Sequence, residues 1–275
     1  MASFFSHTTL IFILIYHSGE CAGQEHPVFT TAYNSCMLSS DAFSADQDAY
    51  VLQPGLLPEI TSLQLSGNIQ SVFTGFDVYA LGLHVAVPLP INFGVGLSIM
   101  KLGHPDFNSS RITLSVGKQL GKNLSIGTSQ SFHQNKIANR GSPWSGSSSV
   151  AGLYDTKNWG IALRVDGLMP WKKNDYSNEL TIYAGAHVKW STQTQLFTSI
   201  HYTDQRLYPV TALRQELIKN VELIGSFQWY PAQYGVGFII PLSEQLKSII
   251  STQYHPVLGW SPAIGLQWKG SKQRM

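Results

Sequence analysis

The chain has 275 residues, a formal net charge of +2 and only 12% charged residues, whereas soluble domains carry about 25%. Lys and Arg are scattered rather than gathered in a basic stripe, so nucleic acid is excluded as the expected partner. No internal apolar run approaches the ~18 residues that a transmembrane helix needs, so the chain is expected to cross a bilayer only as a closed sheet.

Residues 1–23 have the pattern of a secretory signal peptide. An apolar core at 10–16 is followed by small residues up to Gly23, although no Lys or Arg precedes that core. The alternative is a disordered apolar N-terminus. Removal of the signal would leave Cys36 as the only cysteine, so no intramolecular disulfide is expected, and Cys36 is predicted to be a small packed residue.

Residues 24–60 do not alternate between apolar and polar positions as a strand would. They mix small, acidic and apolar residues and end near a turn at Pro54-Gly55. The aspartates Asp41, Asp46 and Asp48 have no Lys or Arg in the same segment. We predict a segment folded inside a larger structure, with at least one of these carboxylates paired to a basic residue of that structure. The alternative places all three in water at its mouth.

From residue 61 onward, apolar residues alternate with small or polar ones, which is typical of strands with two different faces. In the stretch 79–100, for example, Leu81 and Leu83 alternate with Gly82 and His84. Strands of ~10 residues with one unbroken apolar face are typical of membrane-spanning barrels. We predict fourteen strands, at 61–70, 77–87, 91–101, 110–118, 123–132, 148–155, 158–167, 179–189, 194–203, 210–218, 221–230, 233–240, 246–254 and 258–268.

The connections between these strands alternate in length. Every second one is short, as at 88–90 and 120–122, and those between are mostly longer, as at 102–109 and 204–209. Bacterial barrels have short periplasmic turns and longer extracellular loops. We therefore predict that the barrel, residues 61–268, begins and ends in the periplasm and is followed by a short tail, 269–275.

The two faces of the strands can be assigned from their charges. An Arg on the lipid face costs about 2–4 kcal/mol at the middle of the bilayer, so the charged residues should point into the lumen. Trp and Tyr near the strand ends suit the two membrane interfaces, and the alternative is a soluble β-sandwich. The predicted lumen residues are His84, Arg164, Asp166, His187, Lys189, Arg214 and Glu216. The basic members Arg164, Lys189 and Arg214 are the expected partners of the aspartates.

The run Ser40–Ala49, followed by Leu52–Leu56, resembles the start of FadL-type outer-membrane barrels and their relatives of the PorV and PorQ kind. In that family an acidic Asp-x-x-Ala element precedes Asn-Pro-Ala-Gly-Leu; here Gln53 replaces the Asn and the Ala is missing. The segment His255–Gly259 also resembles a His-x-x-Leu-Gly motif of PorV-type barrels. The resemblance implies an all-β, fourteen-strand antiparallel transmembrane barrel with an N-terminal hatch. We call residues 24–60 the hatch; Asp41, Asp46, Asp48, Pro54 and Gly55 belong to it.

The same resemblance implies two functions, between which the residues do not decide. One is transport of small hydrophobic compounds across the outer membrane of a Gram-negative bacterium. The other is a non-transporting scaffold or adaptor in a type IX-like secretion pathway, with secretion proteins as partners. In both cases the barrel is surrounded by outer-membrane lipid. The predicted loops 134–149 and 167–178 contain few apolar residues, which is a thin lining for a hydrophobic ligand.

Catalytic motifs are not found in the sequence. Neither Cys-x-x-Cys, His-Glu-x-x-His nor Gly-x-Ser-x-Gly occurs. We therefore expect a protein that is not an enzyme and has no catalytic residue, cofactor or metal. A buried acid, a histidine and a serine could together form a barrel-embedded lipid hydrolase, but serines are so frequent in the strands that some Ser–His pair is expected by chance. The hydrolase therefore stays a minor alternative.

Overall fold

The computed structural model describes residues 31–38, 49–75, 77–104, 107–137, 144–171, 180–203 and 205–271. The predicted signal peptide and the hatch aspartates Asp41, Asp46 and Asp48 lie outside the described residues. The described part begins with helix α1 (Ala32–Met37) and two 3₁₀ helices, Ala49–Val51 and Pro54–Glu59. The strands are β1 (Gln64–Ser71), β2 (Tyr79–Leu89), β3 (Phe93–His104), β4 (Phe107–Gln119), β5 (Leu124–Ile137), β6 (Trp144–Asp155), β7 (Trp159–Trp171), β8 (Thr181–Lys189), β9 (Thr194–Thr203), β10 (Arg206–Ile218), β11 (Val221–Trp229), β12 (Ala232–Pro241), β13 (Leu246–His255) and β14 (Gly259–Lys269).

The fourteen strands form one closed antiparallel barrel, which confirms the predicted fold class. Each strand pairs with its neighbours in sequence, and β1 closes the barrel against β14, with Ile69 opposite Ile264. The closure satisfies the backbone hydrogen bonds of both outermost strands, which would otherwise be exposed edges. No helix among the described residues is long and apolar enough to cross a bilayer.

The outer face of the barrel is apolar, as the alternation predicts. On β2 the outward Leu81 and Leu83 are 50% and 65% exposed, whereas the inward His84 is 1% exposed. On β7 the outward Leu163 is 52% exposed. Tyr234, Tyr254 and Trp260 form a series of ring contacts across β12, β13 and β14, with centroids 6.3 Å and 4.7 Å apart. Such aromatic rings suit a membrane interface.

The two ends of the barrel carry different connections. We call the end with 90–92, 120–123, 156–158, 190–193, 219–220 and 242–245 the turn end, and the opposite end the loop end. The barrel starts and finishes at the turn end, where the Gly270 N–H donates to the Leu63 carbonyl over 2.8 Å. The compartment that the turn end faces stays a prediction.

Two of the predicted long loops are wrong. The region predicted as a loop at 102–109 is mostly strand, because β3 and β4 continue to pair up to His104 opposite Phe107. The region predicted as a loop at 204–209 is likewise strand from Arg206, which pairs with Thr203. These two connections are therefore only 105–106 and 204–205. The polar residues of these hairpins extend the strands at the loop end.

Candidate functional site

The described hatch residues lie in the barrel interior, in two pieces. Residues 50–60 pack against β2 to β6, and helix α1 packs against β11 to β14 and β1. Tyr33, Leu56 and Leu57 are fully buried there. Both pieces therefore contact the inward faces of strands rather than extending the sheet.

Three glycines line the wall beneath Pro54–Leu57. A methyl group added at Gly94 would overlap the backbone of Leu57, and one at Gly117 or Gly127 would overlap the backbone of Pro54. The three glycines lie side by side on β3, β4 and β5, since Gly94 is opposite Gly117 and Gly117 is opposite Gly127. Glycine is needed at these positions because the backbone of the hatch approaches so closely.

Side chains of the wall and of the hatch hold residues 50–60 in place. Gln53 donates through Nε2 to the carbonyl of Gly152 over 3.1 Å. Arg164 donates through Nη1 to the carbonyl of Leu52. The same guanidinium is 3.0 Å from the Asp166 carboxylate and lies over the Tyr183 ring, 3.8 Å from its centroid.

Helix α1 is held on the other wall in a comparable way. Ser226 donates to the carbonyl of Cys36 over 2.5 Å, and Ser251 donates to the carbonyl of Ala32 over 2.6 Å. Gly237 makes room for Cys36, because a Cβ at Gly237 would lie 2.7 Å from the Cys36 sulfur. The Cys36 thiol is buried, forms no disulfide among the described residues and donates to the carbonyl of Tyr33 over 3.1 Å, in agreement with its expected packing role.

The inner wall of β9 to β13 carries an apolar surface that the sequence reasoning missed. We call it the inner apolar patch; together with Tyr33, Cys36 and Met37 it forms part of one buried cluster. The two adjacent isoleucine pairs, 239–240 and 249–250, place an apolar side chain on both faces of β12 and β13 and could have revealed it. The patch consists of Phe197, Ala212, Ile224, Ile239 and Ile249.

The predicted lumen residues are spread over several walls rather than joined in one site. Arg164 and Asp166 lie together on β7. Arg214 forms a two-pronged ion pair with Glu222 of β11, at 2.5 Å and 2.8 Å. Glu216 instead accepts the N–H of Asn220 in the adjoining turn, over 2.9 Å. Sequence reasoning missed Glu222, although the tight turn at 219–220 places it diagonally opposite Arg214.

The remaining predicted residues lie near the turn end and on β2. His187 is buried, and its Nε2 is 3.5 Å from the carboxylate of Asp155, a residue that had not been predicted. Lys189, at the end of β8, is exposed. His84 lies between Ser98 and Asn68, at 2.9 Å from Nδ1 and 3.0 Å from Nε2. The predicted pairing of a hatch aspartate with a basic residue stays a prediction, since the aspartates lie outside the described residues.

The open space around Arg164 of β7 is small. A cavity of about 20 Å³ lies between Leu52, Arg164, Tyr183 and His201, which is about the room that one water molecule needs. No group of three or more metal-ligating side chains is found in the described part of the chain.

Comparisons with known proteins find the same barrel fold in solved structures. No protein-family model and no curated protein matches the sequence. The structure is similar to the Ralstonia pickettii toluene transporter TbuX, with a TM-score of 0.70 and 8% identity over 88% of this chain and 98% of that one. At this identity the likeness shows the fold alone. The CymD monoaromatic hydrocarbon channel gives 0.64 and 11% over 83% and 94%. A Pseudomonas aeruginosa FadL homologue gives 0.59 and 9% over 87% and 97%. The PorV and PorQ branch stays a prediction.

Proposed function

We propose that the protein passes small hydrophobic compounds across the bacterial outer membrane, with the hatch closing the lumen at rest. The observation that carries the proposal is the inner apolar patch. A water-filled pore has a polar interior, whereas Phe197, Ile224 and Ile239 give this interior an apolar strip. Such a strip would solvate an apolar molecule in place of the hatch side chains that now cover it.

The attachment of the hatch is consistent with displacement. In the part of the hatch that the structure describes, the polar links to the wall are single side-chain hydrogen bonds, such as those of Gln53, Ser226 and Ser251. Each bond of this kind stabilises by about 0.5–1.5 kcal/mol net. Opening the sheet would instead break a ladder of backbone bonds along a whole strand pair. Movement of the hatch is therefore the less costly way to open a path.

Two of the structural neighbours support the class of compound. One is described as a toluene transporter and another as a monoaromatic hydrocarbon channel. We extend this to small, uncharged, apolar molecules because the patch itself offers no charged side chain. The alternative, a scaffold in a type IX-like secretion pathway, predicts association with secretion proteins and no uptake of solute.

Uptake of radiolabelled toluene by cells that express the protein tests the proposal. Cells with the folded barrel in their outer membrane should accumulate toluene faster than cells with the empty vector. The variant Ile224→Asn should lower the uptake, because it places an amide in the patch. Its control, Leu223→Asn on the outer face of the same strand, should keep the uptake wherever the barrel is folded. Equal uptake with and without the protein would refute the proposal, and co-purified secretion proteins would then favour the alternative.

A further inference from the structure

Three neighbouring strands place Asn68, His84 and Ser98 on one inner surface. The imidazole of His84 bridges the other two, with Nδ1 2.9 Å from Ser98 Oγ and Nε2 3.0 Å from Asn68 Oδ1. An amide oxygen only accepts hydrogen bonds, so the proton of the neutral imidazole lies on Nε2. Nδ1 then has its lone pair directed at the hydroxyl of Ser98. This is the arrangement of a nucleophile, a base and a residue that orients the base.

The bridge is not the contact that strand pairing alone would give. The residue directly opposite His84 on β1 is Ser66, whereas Asn68 is opposite Gly82. The imidazole reaches Asn68 across Gly82, where a Cβ would lie 2.7 Å from His84 Nε2 and would also overlap the Asn68 amide. Glycine at 82 is therefore what allows the bond.

Ser66 adds an independent observation. It is 8% exposed, and its hydroxyl has no hydrogen-bond partner among the described residues. Buried hydroxyls are normally satisfied. The hydroxyl of Ser66 thus leaves a donor beside His84 for an oxygen of a bound molecule.

We propose that Ser98 is a nucleophile, that His84 is its general base, and that the site hydrolyses small apolar carboxylic esters. Ser98 Oγ forms a bond to the ester carbonyl carbon while its proton passes to His84 Nδ1. The bond from that carbon to the alcohol oxygen then breaks, and the alcohol leaves with the proton. Water, giving a proton to Nδ1, attacks the acyl group on Ser98, and Ser98 recovers its proton as the carboxylic acid leaves. Asn68 is a positioning residue, since it holds the imidazole in the required tautomer.

The surroundings of the site set the class of ester. Gly96, two residues from Ser98, is covered by Leu57 and Tyr50, and Ala32 of α1 lies against Gly265 beside Asn68. Because Ser98 is only 4% exposed, an ester must replace some of these apolar side chains and must itself be apolar. The ester can therefore reach Ser98 only after the hatch movement on which the proposed function also rests, although hydrolysis itself does not depend on transport.

Labelling of the full-length, folded protein in detergent with an alkyl fluorophosphonate tests the proposal. Two forms are labelled, the native chain and the double variant Ser226→Ala/Ser251→Ala, which lacks both serine bonds to α1. Mass spectrometry should find the phosphonyl group on Ser98, with faster labelling in the double variant. In that background His84→Gln should slow labelling by about 100-fold or more. The matched serine variant Ser115→Ala, which removes a buried hydroxyl that the proposal does not use, should keep a Ser98 adduct.

The positioning role needs a separate readout. Asn68→Ala should lower both labelling and hydrolysis of p-nitrophenyl butyrate, and Asn68→Asp should restore them, because a carboxylate accepts the same Nε2–H. No Ser98 adduct in either form of the folded barrel would overturn the proposal, as would equal labelling with and without His84. Toluene uptake by the Ser98→Ala variant should equal that of the native protein. Absence of uptake would therefore refute the proposed transport, whereas absence of labelling would refute the proposed hydrolysis.

Discussion

Arg164 of β7 donates a hydrogen bond to the main-chain carbonyl of Leu52 across the barrel interior. The guanidinium is fixed for this bond on two other sides, by the Asp166 carboxylate and the Tyr183 ring. A bond from a charged donor contributes about 1.5–3 kcal/mol, roughly twice that of a neutral one. This single contact therefore gives Arg164 a large share of the polar attachment between residues 49–60 and the wall.

The first prediction concerns that attachment. Arg164→Gln should shorten the time for which residues 49–60 stay in place, because the amide lacks both the charge and the reach of the guanidinium. Limited proteolysis should then cleave the hatch several times faster while the barrel stays resistant. Lys189→Gln removes the same charge from an exposed position and is the control. Equal cleavage rates in the two variants would mean that Arg164 does not hold the hatch.

The second prediction concerns the glycines of β4 and β5 that lie against Pro54. Gly117→Ala and Gly127→Ala should each destabilise the contact with Pro54 by about 1–3 kcal/mol, as for overpacking of a close contact. Gly152→Ala and Gly225→Ala are matched controls, since a methyl group at either position meets open space. Hydrogen exchange of the Leu56 amide should increase only in the first pair. Unchanged exchange there would show that the hatch does not need the glycines.

The third prediction tests the outer face. Leu163→Arg should lower the free energy of unfolding by about 2–4 kcal/mol in lipid vesicles, because Leu163 lies on the lipid face near the middle of β7. Leu120→Arg adds the same side chain in the turn at 120–123, where the cost should be about 0–1 kcal/mol. Guanidinium-induced unfolding followed by Trp fluorescence measures both. Similar costs would mean that the outer surface of β7 does not contact lipid.

The sequence was sufficient to predict the barrel but not the contacts inside it. Period-two alternation places Leu81 and His84 on opposite faces whatever surrounds them, so the strands and their outer face could be read directly. The alternation placed Arg214 and Glu216 on the lumen face, but the ion pair of Arg214 with Glu222 across the hairpin could be found only from the register of β10 and β11. The contact of Gly117 with Pro54 joins distant parts of the chain and leaves no local pattern.

The loop end shows a second limit of prediction from the sequence. Polar residues at 102–109 were interpreted as a loop, although strand pairing continues to His104 opposite Phe107. Backbone pairing needs no particular side chain, so a polar hairpin and a loop have similar sequences. The bounds of β3 and β4 therefore depended on their pairing with each other rather than on composition.

The last prediction concerns the hatch as a whole. Tyr33, Leu56 and Leu57 are fully buried in the interior, and their removal would leave space in which water and ions can enter. A variant that lacks residues 24–57 should therefore show a clear increase in conductance in planar bilayers, whereas the intact protein should show little steady current. The double variant Ser226→Ala/Ser251→Ala should lie between the two and open only briefly, because α1 keeps its apolar contacts with Ile239 and Ile249 after both hydroxyl bonds are lost. Gly225→Ala, which alters only the outer face, should conduct like the native chain. Equal conductance of the intact and shortened forms would mean that residues 24–57 do not close the lumen, and the proposed transport would then need another gate.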